Sequence, residues 1–135
     1  MHRLYLAASG LTSDVIGAAV EVHRILGPGL LESVYEKCLL RELELRGIPA
    51  TNQERVFIDY KGLQFEETLR FDILINSCLL VEVKAVEHVL PVHKAIAISY
   101  MKLLDVPLGL LINFHEEKLT DGVNRLILPG ANKPD

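Results

Sequence analysis

The sequence predicts a mixed α/β fold of two helices, three strands, a third helix and two final strands. Three features predict it. Apolar residues recur at three- and four-residue spacing up to Arg46, and the period shortens to two after Pro49. Helical spacing returns at Pro91 and gives way to an unbroken apolar run at Gly109 to Phe114. At 135 residues there is room for a single domain spanning 1–135.

The first helix is expected from about Asp14 to Leu26, where Val15, Ala18, Ala19, Val22, Ile25 and Leu26 form one apolar face. Thr12 or Ser13 can cap it, and Asp14 suits its positive end. Gly27-Pro28-Gly29 breaks the chain. A second helix follows from about Leu31 to Arg46, with Gly47 placed as a left-handed stop and Pro49 forbidding continuation. Arg55 to Tyr60 reads as a strand, Lys61-Gly62 as a turn, and Phe65 to Ile75 and Leu79 to Ala85 as two more strands. Pro91 to Leu104 is helical and ends at Val106-Pro107. Gly109 to Phe114 has the pattern of a strand buried on both faces. Asp121-Gly122 is a turn, and Val123 to Leu128 an edge strand.

Half the residues are apolar and 24% are charged, which excludes disorder. The apolar runs are interrupted well short of the roughly 18 to 20 residues that a bilayer requires. The apolar stretch near the N-terminus is short for a secretion signal, so a cytoplasmic location is the default. Cys38 and Cys78 are too few for a disulfide scaffold and read as buried free thiols. The net charge of −4 argues against tight non-specific duplex binding, because counterion release favours basic proteins. It leaves room for an enzyme that holds phosphate through metal ions.

The second and third strands carry the candidate chemistry. Phe71, Ile73 and Ile75 alternate with Arg70, Asp72 and Leu74; Leu79, Val81, Val83 and Ala85 alternate with Leu80, Glu82 and Lys84. If both odd-numbered faces enter one core, Asp72 shares a side with Glu82 and Lys84. A three-residue turn over Asn76-Ser77-Cys78, or a bulge with the same effect, is therefore expected: it pairs Ile75 with Leu79 and sets Asp72 opposite Glu82, whereas a two-residue turn at Asn76-Ser77 would separate the acids. Facing carboxylates repel, so a shared proton, a basic neighbour or a divalent cation must offset them. An ion pair of Glu82 with Lys84 or Arg70, without chemistry, is an equally open reading of these residues alone.

At these positions the chain resembles the PD-(D/E)XK nuclease superfamily, and within it the GxxExxY proteins. Gly29-Leu30-Leu31-Glu32-Ser33-Val34-Tyr35 is similar to the naming motif, Arg70-Phe71-Asp72 to the second-strand acid, and Glu82-Val83-Lys84 to the ExK element. Gly109 to Phe114, Asp121-Gly122 and Arg125 extend the likeness, which covers about Ile16 to Leu128. The resemblance implies a nuclease core and Mg²⁺- or Mn²⁺-dependent phosphodiester hydrolysis of nucleic acid, DNA ahead of RNA. It implies Asp72, Glu82 and the Val83 carbonyl as metal ligands, Glu32 as a further ligand, direct or through water, and Lys84 as the group that orients or deprotonates the attacking water. A homodimer is also implied, with no surface named. One departure stands out: Ile96 lies four residues before Tyr100, where the family commonly carries Gln. Reduced activity, lost activity, a purely binding role, or substitution by Lys94 or His93 are the readings this leaves open.

Other residues have plainer readings. Tyr35 is expected to pack with its hydroxyl on a polar group near the site. Glu21 reads as solvated or ion-paired, His23 as exposed or capping, and Glu116, Glu117 and Lys118 as a solvated loop. Gly27 and Gly29 serve backbone geometry, since their spacing fits no phosphate loop. His88, His93 and His115-Glu116-Glu117 do not have zinc spacing.

Overall fold

The computed structural model describes residues 1–135. The elements are α1 (Tyr5–Leu26), α2 (Glu32–Leu45), β1 (Ala50–Tyr60), β2 (Leu63–Ile75), β3 (Leu79–Lys84), α3 (Pro91–Leu104), β4 (Leu108–Asn113), a 3₁₀ turn (Leu119–Gly122) and β5 (Val123–Ile127). The five strands form one sheet in sequence order. Only β3 and β4 are parallel, joined by the crossover through α3; the other neighbours are antiparallel.

Side chains alternate between the two faces along the strands, and the sheet has a core on each face. The larger core packs α1 and α2 through Val15, Ala18, Tyr35, Leu39 and Leu43 onto Ile73, Leu79, Val81, Val83, Leu110 and Ile112. The smaller core packs Ala97 and Met101 of α3 onto Leu74, Leu80 and Leu111. Every residue of β4 is buried, as its unbroken apolar run requires.

The first helix begins at Tyr5, well before the expected Asp14. Ser9-Gly10 and Thr12-Ser13 resemble a start signal, but burying Ala8 and Thr12 on the face shared with Val15 outweighs their weak helix propensity. Thr12 is therefore not a cap. It lies inside the helix, where its hydroxyl donates to the Ser9 carbonyl and accepts from Arg125. Arg125 thus ties β5 to α1 and stands apart from the candidate site.

The turns follow their residue types. Lys61 and Gly62 both have positive φ, which closes the two-residue loop that pairs Tyr60 with Leu63. Asn76 and Ser77 also have positive φ, and the Cys78 N–H donates to the Ile75 carbonyl at 3.0 Å. Ile75 then pairs with Leu79, the register of the three-residue turn. Both cysteines are free, Cys78 buried and Cys38 half-buried. No helix is long and apolar enough to cross a membrane.

One expectation about β2 is corrected. Phe71 does not share a face with Ile73. It packs in the α3-side core with Leu74 and Leu80, whereas Ile73 and Ile75 face α1 and α2. The cause is an irregularity in β2: Thr51 pairs with Leu74 but Gln53 with Arg70, so β2 carries extra residues between them. Asp72 sits on that bulge.

Candidate functional site

The bulge aims Asp72 across the gap to β3. Regular pairing of β2 with β3 covers Ile73 to Ile75. Beyond it, side chains take over from the ladder. The Val83 N–H donates to Asp72 Oδ2 at 2.7 Å, and the Asp72 N–H approaches Glu82 Oε1 at 3.4 Å. Each acid caps the backbone of the opposite strand, which brings the two carboxylates together by a route that face parity alone does not describe.

Glu82 is 9% exposed and its pKa is pushed up to about 8. Burial is the largest cause, followed by the charge of Asp72 and hydrogen bonding with its carboxyl group; the Asp72 N–H and Lys84 pull it back. Lys84 is half-buried at the end of β3. Arg70 is turned to β1, donating to Gln53 at 3.0 Å.

From the other layer, α2 brings two carboxylates. Glu32 begins the helix and accepts from the Ala85 N–H at 3.3 Å. Glu36, one turn later, has its pKa raised by burial and then by Asp72. Sequence reasoning missed Glu36, although its four-residue spacing from Glu32 puts both on one helix face. Leu30, Leu31, Glu32, Ser33, Glu36 and Ala85 line an open cleft of about 560 Å³.

Tyr35 shows why Glu32 is held in place. The tyrosine is fully buried and stacks on Phe114 with ring centroids 4.6 Å apart. Its hydroxyl donates to the Gly27 carbonyl at 2.5 Å and accepts from the Leu30 N–H at 3.1 Å. The Gly27–Leu30 loop is thereby fastened to α2, and Gly29 with φ +97° makes the turn possible. Tyr35→Phe strips both loop groups of their partner and is expected to cost about 1–2 kcal/mol, read as a lower denaturant midpoint with an unchanged m-value.

Asn113 is a second residue that sequence reasoning did not single out. It is 1% exposed. Its Oδ1 accepts from the Val86 and His115 N–H groups and its Nδ2 donates to the Val86 carbonyl at 2.8 Å. It pins the chain just past Lys84 to the end of β4. The available signal was a lone amide closing an apolar strand.

The remaining expectations resolve simply. Glu21 is ion-paired with Arg24 at 2.6 Å. His23 is buried, not exposed or capping, and its Nε2 meets the Glu116 carbonyl at 2.7 Å. His93 is occupied at the start of α3, where its Nδ1 accepts from the Leu90 N–H. Ile96 is 50% exposed on the same helix.

No three His, Cys, Asp or Glu side chains converge as a self-contained metal cluster. The structure brings Asp72 and Glu82 together; Glu32 stays on the Ala85 N–H. The pair nevertheless suits a hard divalent cation. Glu82 is buried and Asp72 half-buried beside it, the two carboxylates repel each other, each has an oxygen beyond the one on the opposing N–H, and Mg²⁺ takes only one or two carboxylates with waters besides.

A family model described as the PD-(D/E)XK nuclease superfamily matches residues 9–126. No curated protein and no solved structure matches. The matched segment runs from α1 into β5 and takes in the acid on the bulged strand and the Glu-x-Lys of its neighbour. The chain belongs to the PD-(D/E)XK nuclease superfamily.

Proposed function

We propose that this protein hydrolyses phosphodiester bonds of nucleic acid with Mg²⁺ or Mn²⁺, DNA being the substrate to expect ahead of RNA, and that it falls in the GxxExxY group of its superfamily. The observation that carries this reading is the pairing of half-buried Asp72 with buried Glu82 across the β2 bulge, with Lys84 beside it. Asp72, Glu82 and the Val83 carbonyl would hold the cation, which supplies Lewis-acid polarisation of the phosphate and a more acidic bound water. Lys84 places an ammonium where charge grows on the phosphate oxygens and orients the attacking water. Glu32 and Glu36 line the cleft on the α2 side, Glu32 reaching the site directly or through water. The short apolar runs and free thiols suit a cytoplasmic protein working as one domain.

A second reading is a nuclease fold that binds nucleic acid or a protein without cleaving. Ile96 favours it, since an alkyl side chain cannot offer the amide hydrogen bond of the family's Gln. Titration of Mg²⁺ and Mn²⁺ against labelled single-stranded DNA, duplex DNA and RNA separates the two. Cation-dependent cleavage that chelation abolishes is expected. Absence of both cleavage and Mn²⁺ binding at millimolar cation would defeat the hydrolase reading.

A further inference from the structure

Only Ile73, Leu74 and Ile75 of β2 pair with β3, so upstream the strand has β1 alone beside it. The β1–β2 hairpin is therefore a two-stranded ribbon reaching past the sheet, a structure that is marginal by itself in water. Its two faces differ sharply. One carries the cross-strand pairs Gln53–Arg70, Arg55–Thr68, Phe57–Glu66 and Asp59–Gln64. Apart from Phe57 it is polar and satisfied by its own contacts, with Arg55 on Glu66 at 2.8 Å and Gln64 on Asp59 at 3.1 Å. The other presents Val56, Ile58 with Phe65, and Tyr60 with Leu63. Tyr60 and Leu63 are 64% and 63% exposed.

That apolar face lies on the α3 side of the sheet, because Leu69 at its base packs against the α3-side core. Val56 and Leu103 line the same cleft, and α3 continues the surface with the exposed Val92 and Ile96. A helix apolar on more than its core-facing stripe is normally covered.

We propose that a second copy of this chain covers this surface, the ribbons lying face to face and antiparallel about a twofold axis near Ile58 and Phe65. The charge pattern is self-complementary for that arrangement. Lys61 stands at the tip with its ammonium 5.5 Å from the centre of the Tyr60 ring, and Glu54 and Glu67 belong to the apolar face near the base. An antiparallel twofold brings each Lys61 to the other copy's Glu67. The ribbon between Ala50 and Arg70 has four acidic and three basic residues, and the whole chain is at −4, which disfavours a polyanion as the occupant. A seven-residue stretch two strands wide falls short of the roughly 800 Å² per partner that a stable dimer buries. The adjoining side of α3 extends it.

Sedimentation velocity on the full chain tests this. Wild type is expected to be a dimer at concentrations on the order of 10 µM, and Phe65→Asp to raise the dissociation constant at least about tenfold with an unchanged circular dichroism spectrum. Lys61→Glu and Glu67→Lys are each expected to weaken the dimer, and the double variant to restore it. Ile58→Cys, at the axis, is expected to cross-link to its own copy on oxidation. A monomeric wild type, a dimer indifferent to Phe65→Asp, or charge reversals that do not rescue one another would overturn the proposal. So would loss of nucleic-acid binding in Phe65→Asp with no change of oligomeric state, which would assign the face to nucleic acid.

Discussion

Asp72→Asn and Lys84→Ala are each expected to lower divalent-cation-dependent cleavage by at least about 10²-fold while leaving the protein folded. Asparagine keeps an oxygen for the Val83 N–H that Asp72 now engages at 2.7 Å, so the bulge can persist. What disappears is the anionic charge that a hard cation needs. Alanine at position 84 leaves β3 paired with β4 through its backbone and removes only the ammonium beside Glu82. Glu32→Gln should be milder, on the order of tenfold, because the Ala85 N–H can still bond the amide oxygen. Rates measured with labelled DNA at saturating Mn²⁺, alongside thermal melts, check the series. Cleavage by Asp72→Asn at the wild-type rate would remove the acid pair from the chemistry.

Much of this site could be read before any coordinates, for a definite reason. Alternation within a short strand is a local signal, so Ile73, Ile75, Leu79 and Val81 entering one core announce the three-residue register that pairs Ile75 with Leu79. The bulge could not be read that way. It depends on how Thr51 and Gln53 of β1 meet β2, a long-range pairing that leaves no periodic trace in β2 itself. Parity therefore put Phe71 on the wrong face, and the convergence of Asp72 with Glu82 was reached from a partly mistaken premise. Glu36 was passed over for a similar reason: its pKa is raised by burial and by Asp72, a residue distant in sequence. The start of α1 was misjudged because Ser, Gly and Thr looked like punctuation, when burial of Ala8 and Thr12 decides the matter. The ribbon's alternation marked it as a strand but could not say that one side of it would lack a covering layer.

Glu82→Gln is expected to make the metal-free protein more stable at alkaline pH and to remove most of the pH dependence of its melting temperature. The sign follows from proton linkage. Glu82 has an ordinary value of 4.5 and titrates near 8 in the folded protein. Between those limits the folded chain retains a proton that the unfolded chain has released. Stability is therefore fully present below about pH 4.5, declines as the pH rises and levels off above about 8. The loss is on the order of a few kcal/mol, or a fall in Tm on the order of 10 °C. Glu36 contributes with the same sign, so a shallower slope should survive in the variant. Other groups also titrate across this range, and the informative quantity is the difference between wild type and Glu82→Gln at each pH. Mg²⁺ or Mn²⁺ should close that difference above pH 8, because a ligand that binds only the folded state stabilises it by mass action, about 2.7 kcal/mol at a hundredfold excess over its dissociation constant. The variant, with one carboxylate fewer, should gain much less. If the two proteins keep parallel melting curves from pH 5 to 9, Glu82 ionises without penalty, and the repulsion on which the proposed cation site rests is absent.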